Sequence, residues 1–266
     1  MRFLAMHIGS KLTNFEFRDA YVTDTGLTGF SRTCPDLKRF HLKSEVVEHD
    51  YDTDDSVEEE LTDAGVQALT ENCATLEDIA LIKWTNITDL SMDYLSSITT
   101  LTRVQLSGCR KLTSAGIMRV LQTNPGLQHI DIANVLHADD SINSLVSSIG
   151  SGCPVLMSLK LLFAPPNKVT ITSMLIVARS CPLLEVLDVK GFPQNDKYLV
   201  ALSSSCPLLK YFTLTGSDVT DPGLLALTRG CRQLEALTMD NATHITQPSF
   251  SEKKKDRCKW RIPTGI

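Results

Sequence analysis

Histidine and cysteine are the residue types with which this sequence of 266 residues could perform metal or thiol chemistry. It contains six histidines and eight cysteines. His41 and His129 fall on one face of predicted strands, but three strands apart, which is about 14 Å and too far to share a zinc ion. Cys109 and His129 are offset by roughly 20 Å along the strands. We therefore predict no catalytic residue, no metal site and no cofactor.

A thiol enzyme is a remote alternative function for this protein, and Cys258 is the residue that would support it. It lies among lysines and arginines, whose charges lower the pKa of a thiol. Most of the other cysteines recur at one position of a repeated motif, which is typical of buried structural cysteines. The sequence therefore favours a binding protein over an enzyme.

A short leucine-rich segment recurs nine times along the chain and organises the fold. It has the pattern L-x-x-L-x-L, in which other apolar residues can replace the second and third leucines. The leading leucines are spaced by 25, 39, 25, 26, 29, 28, 25 and 25 residues, and a period near 25 is typical of leucine-rich repeats. The segments begin at Leu12, Leu37, Leu76, Leu101, Leu127, Leu156, Leu184, Leu209 and Leu234. Each is expected to form one short strand.

The rest of each unit repeats as well. A cysteine often stands three residues before the leading leucine, and a Thr-Asp-x-Gly signature follows the strand, as at Thr23, Thr62 and Thr220. Threonine or aspartate at this position predicts a helix N-cap. Apolar residues three apart, such as Leu224 and Leu227, then bury one face of the helix. Each unit is therefore a strand, a turn and a helix.

Such units bury their apolar faces only by stacking on one another. The sequence predicts an α/β fold, a leucine-rich-repeat solenoid of about nine repeats, shaped as a curved horseshoe with a concave parallel sheet and convex helices. The cysteine pattern resembles the repeats of F-box ubiquitin-ligase substrate receptors and of antagonist-of-mitotic-exit proteins over roughly residues 9–250. The F-box itself is not present in this sequence.

Two charged segments interrupt this array. The solenoid is expected over 1–250 and contains an acidic loop insertion at 44–60. Residues 251–266 are expected to form a basic tail that is disordered. Residues 45–60 hold nine acids and no lysine or arginine; they suit a solvated loop, or alternatively a charged clamp or competitor that faces basic partners. The tail suits a solvated terminus, or a patch for nuclear import or an acidic partner.

The ends of the sequence fall inside repeat units, so a fragment of a longer F-box protein is one interpretation. Residues 5–9 resemble the end of a preceding repeat helix.

The sequence has no run of 18 apolar residues and no signal-peptide pattern. We expect a cytoplasmic or nuclear protein that binds neither membranes nor nucleic acid, because its predicted binding face mixes both charges.

The candidate site is the concave face, where alternate strand residues point away from the core. Phe163 and Phe192 are expected to form an exposed apolar cluster there with Leu162, although both could instead pack under the turns. The predicted partner-binding residues are Arg39, His41, Arg103, Gln105, His129, Asp131, Lys160, Leu162, Phe163, Asp188, Lys190, Phe192 and Tyr211.

The resemblance implies a function. It suggests an array that holds a protein substrate for a cullin-based (SCF) ubiquitin ligase and so supports ubiquitin-dependent degradation, with cullin subunits as partners if a longer chain supplies an F-box. The alternative is a free regulator or inhibitor that binds its partner protein without a ligase.

Overall fold

The computed structural model describes residues 11–18, 22–44, 61–135, 141–162, 169–192, 194–215, 218–240, 243–246 and 259–261. Residues 5–9, residues 45–60 of the acidic insertion, Phe163, Cys258 and most of the basic tail lie outside these ranges.

The strands of the described ranges form one parallel sheet in chain order. They are β1 (Asn14–Arg18), β2 (Arg39–Lys43), β3 (Asp78–Ile82), β4 (Arg103–Ser107), β5 (His129–Ala133), β6 (Ser158–Leu162), β7 (Val186–Lys190), β8 (Tyr211–Thr215), β9 (Ala236–Asp240) and β10 (Lys259–Arg261). The predicted segments each hold one of the strands β1 to β9, which confirms the repeat assignment. Within the predicted tail, β10 pairs with β9.

Eight helices follow these strands within the described residues. They are α1 (Asp24–Ser31), α2 (Asp63–Asn72), α3 (Asp89–Leu95), α4 (Ser114–Thr123), α5 (Ile142–Gly152), α6 (Ile171–Ser180), α7 (Asp196–Ser205) and α8 (Asp221–Gly230). Their burial confirms the predicted apolar faces: Leu224 and Leu227 of α8 are at most 1% exposed.

The chain divides into two compact units. The N-terminal unit comprises Met1–Asn124 and Ile132–His137, and the C-terminal unit comprises Pro125–Asp131 and Ala138–Ile266. In the N-terminal unit, α1, α2, α3 and α4 pack side by side, and Phe40 of β2 contacts Phe30 of α1 with ring centroids 6.4 Å apart. In the C-terminal unit, α5, α6, α7 and α8 pack in the same way.

The threonines of the Thr-Asp-x-Gly signature lie at the predicted N-cap positions. Thr23 Oγ1 accepts from Gly26 N at 3.1 Å and Thr62 Oγ1 from Ala64 N at 3.2 Å, whereas the Thr220 side chain makes no cap hydrogen bond. The aspartates of the signature accept hydrogen bonds from the next repeat. Asp24 accepts from the backbone N (2.8 Å) and Oγ1 (2.5 Å) of Thr62, which is the cap of the next helix.

This contact recurs along the chain as a ladder of hydrogen bonds, each from the first turn of one helix to the corresponding threonine of the next repeat. Its remaining acceptor and donor pairs are Asp63 with Thr88, Asp89 with Thr113, Asn143 with Thr170, Asp196 with Thr220 and Asp221 with Thr246. Each of these bonds therefore joins the start of one helix to the next repeat.

Candidate functional site

The site is built on the sheet face that the helices leave uncovered. In the N-terminal unit, the open face consists of the β1 to β4 side chains that point away from the helices. Arg39, Asp78 and Arg103 are aligned across β2, β3 and β4, and His41 and Gln105 lie in the next row. The predicted residues Arg39, His41 and Arg103 are therefore brought together.

Asp78 is the centre of this group, the Asp78 cluster. Its Oδ2 accepts from Arg39 Nε at 3.0 Å and lies 3.5 Å from Arg103 Nε, while its Oδ1 lies 2.8 Å from His41 Nε2. The side chain of Asp78 is 9% exposed, whereas the side chains of Arg39 and Arg103 are 52% and 44% exposed. A covered acid thus orients two bases that remain accessible to a partner.

The electrostatics of Asp78 are set by opposing effects. Burial alone would raise its pKa, but the hydrogen bond with His41 and the charges of His41, Arg103 and Arg39 outweigh burial and hold the pKa below its ordinary value. Asp78 is therefore ionised at neutral pH, so the two guanidinium groups keep a fixed counter-charge.

A depression of about 330 Å³ adjoins this cluster in the same unit. Its apolar lining comes from Phe17, Leu42, Ala80 and Ile82, and its polar lining comes from Glu16, Arg18, His41, Lys43 and Gln105. Its volume is at the lower end of the range of ligand pockets, ~300 to 1,000 Å³. It has room for a side chain.

The C-terminal unit presents a second predicted group. Lys160 and Asp188 are paired in the register of β6 and β7. Burial raises the pKa of Asp131, the charge of Lys160 opposes this rise, and the charge of Asp188 adds to it. Asp131 and Asp188 therefore both lie near Lys160, and these three residues form a mixed-charge group.

The other predicted residues of this unit vary in exposure. Leu162 and Tyr211 are 41% and 45% exposed, and the Tyr211 hydroxyl donates to Glu235 Oε2 at 2.9 Å. Lys190 is exposed and His129 is half-buried. These four lie at strand positions that point away from the core, as the alternation predicts.

Phe192 requires a correction. It is 2% exposed and packs edge-on against Tyr198, with ring centroids 5.3 Å apart. The turn after β7 folds this ring under the strand end, because α7 supplies an apolar surface for it. Phe192 is thus a core residue and not part of an exposed apolar cluster. Phe163 lies outside the described residues.

Asp78 occupies one of the alternate strand positions of this face, but it is not among the site residues predicted from the sequence. The register already carried a signal: an acid stands between two arginines in three aligned strands. The residues predicted from the sequence were chosen as exposed side chains, and Asp78 is a buried one that orients its exposed neighbours.

The seven cysteines of the described ranges lack the surroundings of reactive thiols, because all seven are buried. Burial raises the pKa of Cys73, Cys153 and Cys206 to about 12, and that of Cys109 and Cys181 to about 11. Several donate to carbonyls of the preceding repeat, such as Cys73 Sγ to Cys34 O at 3.2 Å. Their role is structural.

Two further searches concern the described part of the chain alone. No group of three or more histidine, cysteine or acidic side chains there could hold a metal ion. None of the helices in those ranges combines the length and apolar character needed to cross a membrane.

Comparison with known proteins shows the fold. A crystal structure of the Rad7 and Elc1 complex from yeast contains a chain that is similar over 97% of this chain and 70% of its own length, with 16% identity and a TM-score of 0.61. An internalin from Listeria monocytogenes is similar over 97% of this chain and 92% of its own, with 13% identity and a TM-score of 0.46. The fold is a leucine-rich-repeat solenoid. No family model and no curated protein matches the sequence.

Proposed function

We propose that this chain is a non-enzymatic protein-interaction module that binds a partner protein on its open sheet face. The Asp78 cluster is the observation that carries the proposal. Arginine is a frequent anchor of protein interfaces, and a buried acceptor fixes both guanidinium groups before the partner arrives. This arrangement lowers the entropy lost on binding.

The C-terminal unit offers a second group of predicted binding residues. Lys160, Asp188 and Asp131 offer both charges, and Leu162 and Tyr211 offer exposed apolar area. A surface of mixed charge and apolar groups suits a protein partner better than a polyanion.

The finer proposal is that the partner is a substrate of a cullin-based (SCF) ubiquitin ligase and that the module supports its degradation. The resemblance of the cysteine-containing repeats to those of F-box receptors supports this role, and a chain of this fold occurs in the Rad7 and Elc1 complex. An F-box supplied by a longer chain would join the module to the ligase. Reduced, buried cysteines suit the cytoplasm or nucleus.

Affinity purification of the endogenous protein under proteasome inhibition, followed by mass spectrometry, tests both levels of the proposal. A cullin and its F-box adaptor among the partners would support the ligase role. Their absence, with another protein strongly enriched, would favour a free regulator instead.

A pair of double variants tests the proposed face. Arg39→Glu with Arg103→Glu is expected to abolish capture of the enriched partner. Arg32→Glu with Arg179→Glu makes the same change of charge at exposed helix-side positions and should leave capture intact. Equal capture by both variants would show that the partner binds another surface.

A further inference from the structure

We propose that the open face of the N-terminal unit binds an extended acidic peptide segment of the partner, in which Asp or Glu stands two residues from an apolar side chain. This inference rests on the proposed function and specifies the chemistry that the site recognises.

The local charge is the first argument. The open-face positions of β1 to β4 hold four bases, Arg18, Arg39, Lys43 and Arg103, against two acids, Glu16 and Asp78, although the whole chain has a net charge of -5. The two acids bond to bases of the same face: Glu16 Oε1 lies 2.7 Å from Arg18 Nε, and Asp78 contacts Arg39 and Arg103. Arg39 and Arg103 therefore share the single negative charge of Asp78, and this pair presents excess positive charge to the partner.

The geometry of the arginines is the second argument. The Nε atoms of Arg39 and Arg103 both lie within 3.5 Å of the same oxygen of Asp78. The two guanidinium groups therefore converge on one point, and both side chains remain about half exposed to solvent. A carboxylate that arrives from the solvent can accept from both, and such charge-assisted bonds are among the strongest in proteins.

The adjoining depression is the third argument. His41 lines the depression and also bonds to Asp78, so the apolar lining by Ala80 and Ile82 lies beside the charged cluster. In an extended peptide, residues i and i+2 point to the same side about 7 Å apart. An apolar side chain in the depression therefore places the side chain two residues away over the two arginines.

A polyanion fits this face less well than a peptide. Glu16 borders the depression and its side chain is half exposed, so a continuous row of phosphates would meet a like charge. A peptide meets Glu16 with an uncharged residue and still pairs with the arginines.

Selection from a phage-displayed library of random short peptides tests the inference. On the intact chain we expect enrichment of an apolar residue with Asp or Glu two positions away. Arg39→Gln with Arg103→Gln should lower binding of the selected peptides about tenfold or more. Arg32→Gln with Arg179→Gln removes the same charge from exposed helix-side positions and should leave binding unchanged.

The outcomes separate this inference from the proposed function. No acidic enrichment, or equal peptide binding by both double variants with unchanged circular dichroism, would overturn the acidic-peptide inference. If the charge-reversed Arg39 and Arg103 variant still failed to capture the cellular partner, the proposed function would stand without it. If capture also persisted, both would fall. Selected phage that bind through phosphate-rich nucleic acid, shown by loss after nuclease treatment, would equally overturn it.

Discussion

At the scale of single residues, Asp78 shows how a buried acid shapes a surface. The strand alternation predicted that residues such as Arg39 and Arg103 would point away from the core. It could not predict that Asp78 would be covered by its neighbours, because burial of a polar side chain depends on the conformations of the long side chains around it. Phe192 was misplaced for a similar reason, since the path of a turn decides whether its ring is covered.

Replacement of Asp78 by asparagine should lower the free energy of unfolding by about 1 to 3 kcal/mol at neutral pH, because Arg39, Arg103 and His41 lose a charged acceptor. The pKa of Asp78 is lowered in the folded chain, so its stabilisation is present above the unfolded pKa of about 3.9 and is lost as pH falls through the lower folded pKa. Urea titrations at neutral and acidic pH measure this.

The exposed Asp36→Asn serves as the control and should change stability by less than about 0.5 kcal/mol. An equal loss for Asp78→Asn at both pH values would contradict an electrostatic role of this carboxylate.

The described cysteines should resist alkylation while the chain is folded. Thiolates are the reactive form, and burial raises the pKa of thiols such as Cys73 and Cys206 to about 12. Iodoacetamide labelling followed by peptide mass spectrometry is expected to modify Cys34, Cys73, Cys109, Cys153, Cys181, Cys206 and Cys231 in urea and to spare them at neutral pH without it. Rapid native labelling of any of these seven would reopen the question of thiol chemistry.

At the scale of elements, the Thr-Asp-x-Gly signature has a meaning that one repeat cannot show. A single unit predicts a helix cap, and Thr23 and Thr62 confirm it. The contact of Asp24 with the next cap crosses a gap of 38 residues, so it became visible only when the units were stacked. The glycine of the signature leaves space for that aspartate and for a buried leucine: a Cβ at Gly65 would lie 2.6 Å from Asp24 Oδ1 and closer still to Leu61 Cδ1.

Gly65→Ala should therefore destabilise the chain, because the added methyl group displaces the Asp24 carboxylate from its hydrogen bonds, and a loss of about 1 to 3 kcal/mol is expected. Gly29→Ala is the matched change in α1, where a Cβ has no neighbour within 4 Å. It should stabilise the chain by roughly 0.5 to 1 kcal/mol, because alanine is the better helix former. Thermal unfolding that shifts in the same direction for both variants would count against the ladder.

At the scale of the whole molecule, the period near 25 residues predicted the strands, the helices and their order, because each unit repeats one local pattern. The binding face was predictable as a set of positions, since strand alternation is regular. The chemistry of this face was less predictable, because the Asp78 cluster combines side chains from three strands, β2, β3 and β4, that are separated by chain segments of unequal length.

The most direct test of the central claim, that the open sheet face binds a protein, is site-specific photo-cross-linking in cells. A benzophenone amino acid placed at Gln105 is expected to cross-link a discrete partner. The same group at Val200, an exposed helix position with 48% exposure, should yield none. Cross-links from Val200 with none from Gln105 would contradict the claim and move the interaction to the helices.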